Sequence, residues 1–437
     1  MSRISLKEIN KLAIPAILAG IAEPLISLSD IAIVGNVPDN ATEVLAAVGI
    51  AGSFLSALIW VLAQTKTAIS AIVSQYLGAG KLKEVKALVP QTIFMNLLLS
   101  LLVYYITSIF SYEIFRLYNA DGLILDYAVS YFKIRAFGFP FTLITFSIFG
   151  VFRGMQNTIW AMYISIIGGV INIILDFILV FGYANIPAMG IEGAAYASLI
   201  SQFVMMLISI YLYLKNTEFN LKLSRSIHPE LGNLIKMSLN LFIRTAALNY
   251  AIYLANKYAT GYGNEYIAAQ TIAMNIWLFS SFFIDGYANA GNAISGKLLG
   301  AKDYKRLWTL GIDLSKYSVF VAVVLGALYT VGYYTIGRIF IADREVLNIF
   351  YSIFWMVIAM QPINALAFTF DGIFKGLGEA KYLRNVLIAA TFIGFAPTIY
   401  ISDYFDLKLY GIWIAFTVWM LIRSLSLIVK FRVKYLS

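Results

Sequence analysis

The chain has 437 residues, of which 60% are hydrophobic, 15% aromatic and only 13% charged. Soluble domains carry about a quarter charged residues, so a chain of this composition cannot cover itself with polar surface in water. Its net charge of +9 does not point to nucleic acid until membrane orientation has accounted for the basic residues. The absence of cysteine removes disulfides and thiol chemistry, and a single histidine, His228, disfavours a His-rich metal site or a Ser-His-Asp triad.

In chain order, apolar segments recur near residues 9–36, 45–76, 88–112, 124–152, 159–182, 190–214, 231–257, 266–299, 307–336, 345–374, 382–402 and 408–433. Each is long enough to cross a bilayer core as a helix, and the weak alternation argues against barrel strands. We therefore expect an all-α integral membrane protein with twelve transmembrane helices. The first segment has no small-residue cleavage site, so it is expected to stay attached. Of the 32 basic residues, 22 fall at the termini or in even-numbered loops, Arg153, Lys375 and Arg423 among them, and five in odd-numbered loops. That bias places both termini in the cytoplasm. Lys66, Lys133, Arg135, Arg244 and Lys316 fall inside or near the ends of spans.

A fixed offset of 222 residues relates the two halves. Leu45-Ala46-Ala47 matches Ile267-Ala268-Ala269, Leu77-Gly78-Ala79 matches Leu299-Gly300-Ala301, and Pro140 matches Pro362. Gly150-Val151-Phe152-Arg153-Gly154 matches Gly372-Ile373-Phe374-Lys375-Gly376. The chain reads as two homologous six-helix bundles related by a pseudo-twofold axis along the membrane normal. The expected division is an N-lobe over 1–214, a cytoplasmic linker over 215–230 and a C-lobe over 231–437.

Five acidic residues, Glu23, Asp30, Asp176, Asp285 and Asp371, fall deep in apolar segments. A carboxylate at mid-membrane costs about 2.5 to 3.5 kcal/mol, so it usually faces a cavity and pairs, protonates or binds an ion. Asn172 and Asp176 are i, i+4 on one helix, and Ala194 and Ser198 repeat that spacing on the next. Glu23 and Asp30 share a face of the first helix, which Pro24 can kink. These groups could converge on one oxygen-lined pocket for Na⁺ or H⁺, or Asp30 and Asp176 could only hydrogen-bond across helices to hold the packing. Under the repeat, Asp176 falls on Thr398, Asp30 on Ile252 and Asp371 on Phe149. Acids without copies in the other half favour a task confined to the N-lobe. Asp285 and Asp371 are then partners for Arg244 or Lys66, or cavity charges that attract a cationic substrate. Arg244 reads as an ion-pair partner rather than a substrate contact.

Trp60, Trp277, Phe149, Tyr250, Phe282 and Met274 could stack on a flat cation at about 0.5 to 2 kcal/mol each. Most aromatic residues of so apolar a chain simply pack. Pro140 and Pro362 either permit bending during transport or fix a static kink.

Several motifs in this order resemble the multidrug and toxic compound extrusion (MATE) family. They are Pro15, Pro24-Leu25-Ile26-Ser27-Leu28-Ser29-Asp30 running into Val34-Gly35, Leu45-Ala46-Ala47, Gly150 to Asn157, Asn172-Ile173-Ile174-Leu175-Asp176 and Gly193-Ala194-Ala195. Arg244-Thr245, Asp285-Gly286-Tyr287-Ala288 and Asp371 to Gly376 look like its DNA-damage-inducible F branch. One departure is Asn292, where many members of that branch carry a glutamate, which weakens a second acidic site in the C-terminal half.

The resemblance implies a secondary antiporter, not an enzyme, exporting amphipathic, mostly cationic compounds in exchange for H⁺ or Na⁺ by rocking of two lobes. It further implies that Asp30, Asn172, Asp176, Ala194 through its carbonyl, and Ser198 line an N-lobe cation or proton site. No cofactor beyond the coupling ion is expected. The expected partners are small cations, H⁺ or Na⁺ and membrane lipids, with no nucleic acid; we expect a monomer in the cell (inner) membrane. The alternative within the superfamily is a lipid-linked precursor flippase, disfavoured by an interior read as mainly acidic. A membrane-embedded enzyme would have only carboxylate chemistry, and no Walker A motif supports direct ATP drive.

Overall fold

The computed structural model describes residues 3–37 and 40–435, with the side chains of 22–25, 27 and 28 outside that description. Glu23 and Pro24, expected at the ion site and at a kink, therefore lie outside the described side chains. The first half folds into Leu6–Val34 (α1), Ala41–Leu62 (α2), Gln64–Gly78 (α3), Leu88–Ile109 (α4), Ser111–Arg116 (α5), Gly122–Ala136 (α6), Phe139–Gly154 (α7), Ile159–Phe181 (α8) and Gly190–Asn216 (α9). The second half adds Pro229–Tyr262 (α10), Asn264–Gly300 (α11), Tyr304–Val331 (α12), Tyr333–Phe340 (α13), Arg344–Ala359 (α14) and Gln361–Gly376 (α15). Ala380–Ala389 (α16) continues through a π-turn over Ala390–Phe395 into Ala396–Tyr404 (α17), and Lys408–Tyr435 (α18) ends the chain's described part. Among the described residues the one β feature is an isolated bridge between Tyr183 and Ile186.

Eight helical stretches among the described residues are long and apolar enough to cross a membrane, and ten if two bent pairs each count once. The protein is an all-helical, multi-pass membrane protein. Twelve apolar segments were expected; the two without a matching span by this measure are α1 and α10. In α10 the polar side chains Asn240, Arg244 and Asn249 interrupt the apolar run.

The bent pairs stand at equivalent places in the repeat: α6 and α7 meet at 45°, α14 and α15 at 50°. Pro140 and Pro362 occupy the first turns of α7 and α15, where a missing N–H costs no helix bond and a fixed φ starts the new segment. The prolines thus follow the break in each half.

Two compact units divide the chain. One comprises Leu18–Val73 and Lys81–Ile235; the other comprises the residues up to Ile17, Ser74–Gly80 and those from Lys236 onward. The division differs from a cut between residues 214 and 231, because the start of α1 and the end of α3 group with the C-terminal half. In the first unit the core gathers Val48, Leu55, Phe115, Phe132 and Phe139. In the second it gathers Trp277, Phe350, Phe354, Trp413, Phe416 and Trp419.

The repeated Gly-x-x-x-Gly has a packing reason in both units. A Cβ on Gly150 would lie 2.5 Å from the carbonyl oxygen of Lys66 on α3, and one on Gly154 would lie 2.9 Å from that of Ser70. At the equivalent positions, a Cβ on Gly372 would lie 2.1 Å from the carbonyl oxygen of Ala288 on α11, and one on Gly376 would lie 2.2 Å from that of Asn292. Small residues one turn apart let backbones approach where lipid offers no hydrophobic drive for association.

Candidate ion-coupling site

Within the first unit, four helices bring polar side chains to one buried place: α1 carries Asp30, α6 Arg135, α8 Asn172 and Asp176, and α9 Ser198. Close packing of α8 on α9 sets their spacing, since a Cβ on Gly193 would lie 2.5 Å from the carbonyl oxygen of Leu179. Asn172 Nδ2 donates to Asp176 Oδ2 and to Ser198 Oγ, both at 3.3 Å. Ser198 Oγ donates to Asp30 Oδ2 at 3.3 Å. Ala194 is buried one turn before Ser198, in the core beside Val34 and Val180.

Asp30 is 3% exposed and Asp176 fully buried. Asp30 Oδ1, Asn172 Oδ1 and Asp176 Oδ1 are buried without a hydrogen-bond partner among the described residues. Buried oxygens that have lost water and gained nothing are costly, and an ionised carboxylate without countercharge far more so. A proton or a small hard cation is what such a set of acceptors lacks. Among the described residues, no three Asp, Glu, His or Cys side chains group as a divalent-metal site would require.

Arg135 is the member of this site that sequence reasoning did not assign. Its Nη1 lies 3.2 Å from Asp30 Oδ2 and donates to Ser198 Oγ, and its guanidinium sits 5.7 Å from the centroid of Tyr131. The available signal was an arginine inside an apolar segment, which inside a membrane implies an acidic partner in the same bundle.

A second charged cluster lies in the second unit. Arg244 donates through Nε and Nη2 to Asp371 Oδ1 at 3.0 and 2.6 Å, while Lys375 Nζ lies 2.7 Å from Asp371 Oδ2. Arg244 is thus an ion-pair partner of Asp371. Arg423, assigned by sequence to the cytoplasmic charges, is instead 1% exposed and lies over the rings of Trp419 and Phe368 at 4.7 and 5.4 Å. Arg153 is buried as well. These placements correct two points of the charge reading: not every even-side base marks topology, and the interior of the second unit holds buried bases, Arg244 and Arg423, beside its buried acids, Asp313 and Asp371.

The remaining candidates are spread out. Asp285 is half-buried and accepts from Asn289 Nδ2 at 3.1 Å; its described partner is neither Arg244 nor Lys66, which lies 4.5 Å over the Phe146 ring. Trp277 and Met274 fill the core of the second unit rather than lining a cavity, because that face of α11 packs on aromatic side chains such as Phe368 and Phe416. Phe149 is buried, Phe282 half-buried, and Tyr250 is exposed and stacked on Phe392. Trp60 is 40% exposed.

Comparison with known proteins accords with this geometry. The family model described as MatE matches residues 15–178 and 243–401. DNA damage-inducible protein F of Escherichia coli is 26% identical over 98% of this chain and 92% of its own length. Protein DETOXIFICATION 42 of Arabidopsis thaliana is 30% identical over 67% of this chain, which spans 56% of that relative's length. A crystal structure of MATE in the bent conformation superposes with a TM-score of 0.91 at 21% identity, covering 98% of this chain and 95% of the other, a likeness of fold. With the motifs, the repeat and the family model in agreement over most of its length, the chain belongs to the MatE family, the multidrug and toxic compound extrusion transporters.

Proposed function

We propose that the protein is a secondary antiporter that exports amphipathic, mostly cationic small molecules in exchange for H⁺ or Na⁺ held at Asp30, Asn172, Asp176 and Ser198. The observation that carries this reading is the set of three unpartnered buried oxygens, Asp30 Oδ1, Asn172 Oδ1 and Asp176 Oδ1. Their neutralisation by an entering ion changes the charge of one helix bundle by a full unit. That is the differential interaction a conformational cycle needs. Relatives support the substrate class: Staphylococcus aureus MepA, 24% identical over 71% of this chain, is a multidrug export protein by name.

Both termini lie on the cytoplasmic side in this reading. Ion and substrate bind reciprocally, so an ion entering from outside weakens substrate binding by the free energy with which substrate favours ion release inside. Ethidium efflux from proteoliposomes under separate pH and Na⁺ gradients tests it. Efflux driven by one gradient in the wild type, and lost in Asp30→Asn and Asp176→Asn, is the expected result; full efflux in both variants would refute it. The basic cluster around Asp371 favours a second reading, export of an anionic lipid-linked precursor, which predicts no ethidium efflux under either gradient.

A further inference from the structure

We propose that Arg135 selects the coupling ion: its guanidinium acts as a tethered countercharge on Asp30 that keeps Na⁺ out of the pocket and leaves a proton on Asp176 as the ion exchanged. The inference rests on the coupling reading above and deepens it.

The geometry carries the argument. Arg135 Nη1 lies 3.2 Å from Asp30 Oδ2 and donates to Ser198 Oγ, so it already uses two of the oxygens that a Na⁺ in this pocket would need. A hard cation wants a shell of oxygens, and a second positive charge beside the guanidinium is repelled strongly where little water screens it. A proton needs one oxygen only. With Asp30 paired to Arg135, the acid left over among the described residues of the pocket is Asp176, fully buried, with Oδ2 accepting from Asn172 and Oδ1 unpartnered there.

Among the described residues, the charged and titratable groups that act on Asp176 are Asp30 from α1 and Arg135 and Tyr131 from α6. Once protonated, Asp176 becomes a donor as well as an acceptor. The cycle balances: the Asp176 carboxylate takes one proton from outside water and returns it to inside water. Asp30 and Arg135 keep their charges throughout.

The test uses the full-length protein in proteoliposomes, with ethidium efflux under a pH gradient or a Na⁺ gradient and ²²Na⁺ binding to the purified protein. In the wild type the pH gradient alone drives efflux and no saturable ²²Na⁺ binding is found. Arg135→Gln gains Na⁺ affinity by at least about tenfold and a Na⁺-driven component of efflux, while Arg135→Lys, which keeps the charge, stays indifferent to Na⁺. A purely structural role for Arg135 would weaken transport without changing its ion preference. Na⁺-driven efflux or ²²Na⁺ binding in the wild type overturns the proposal even if Arg135→Gln fails to fold, as does a folded Arg135→Gln that ignores Na⁺. Efflux under neither gradient in the wild type would instead remove the coupling reading itself.

Discussion

The two buried charge clusters are built on opposite principles. In the first unit two carboxylates, Asp30 and Asp176, face one guanidinium, and several of their polar atoms are left without partners. In the second unit one carboxylate, Asp371, is saturated on both oxygens by Arg244 and Lys375, with Arg423 held nearby against aromatic faces. A saturated cluster gains nothing from taking up an ion and loses a great deal if a member is removed. An unsaturated one is poised to bind. The homologous halves have thus diverged, one holding buried acceptors without partners and the other a carboxylate paired on both oxygens.

Removing the acid from the anchor should produce the largest effect. Asp371→Asn leaves buried Arg244 and half-buried Lys375 without this countercharge, and breaking such a pair costs about 3 to 5 kcal/mol. Thermal unfolding in detergent should show a large loss; a melting temperature within error of wild type would mean that the cluster is solvated and the contrast unfounded. The glycine contacts come next. Gly372→Ala forces a Cβ to within 2.1 Å of the carbonyl oxygen of Ala288, and overpacking of this kind costs about 1 to 3 kcal/mol. Gly49→Ala meets nothing within 4 Å and, on helix propensity, is neutral or stabilising by up to about 1 kcal/mol. Equal effects of the two substitutions would undo the packing explanation of the repeat.

The unsaturated cluster predicts the reverse pattern of the anchor. Asp176→Asn removes a buried acid that has no ion-pair partner among the described residues, so unfolding should shift by less than in Asp371→Asn, which strands two bases, while gradient-driven efflux is lost. Asp30→Asn strands Arg135 and should be the less stable of the two. A parallel melt of both variants checks the order, and the opposite order would place the countercharge on Asp176.

The parts of this arrangement that sequence discloses are those governed by local periodicity. Asn172 with Asp176 could be placed on a common face because one helix holds both, and Pro140 with Pro362 because the offset aligned them. Arg135 could not, because its partner Asp30 is 105 positions away in the chain, and periodicity is silent on which bundle face meets which. Arg423 misled for a related reason: a base near the end of an apolar segment looks the same whether it faces headgroups or folds back onto Trp419. Trp277 and Met274 were ambiguous because stacking on a ligand and packing in a core demand the same side chains. The span number suffered where polar residues inside α10 lower its apolarity without shortening the helix.

The smallest effect belongs to a pair at the surface, which sets the scale for the buried ones. Glu218, just beyond α9, lies 3.1 Å from Lys86 Nζ. The hydrogen bond and charge of Lys86 hold its carboxyl below the ordinary value of 4.5. A carboxylate lowered in the folded state contributes stability that is present above its unfolded value and fades as pH falls through the folded one. Water competes for both partners here, so Glu218→Gln should lower the melting temperature only slightly near neutrality, and the two proteins should melt alike once the carboxylate is protonated in acid. A pronounced loss at neutral pH would mean that ion pairs outside the membrane anchor this protein as firmly as the Asp371 cluster inside it, and the difference between saturated and unsaturated clusters would no longer explain which half holds the fold.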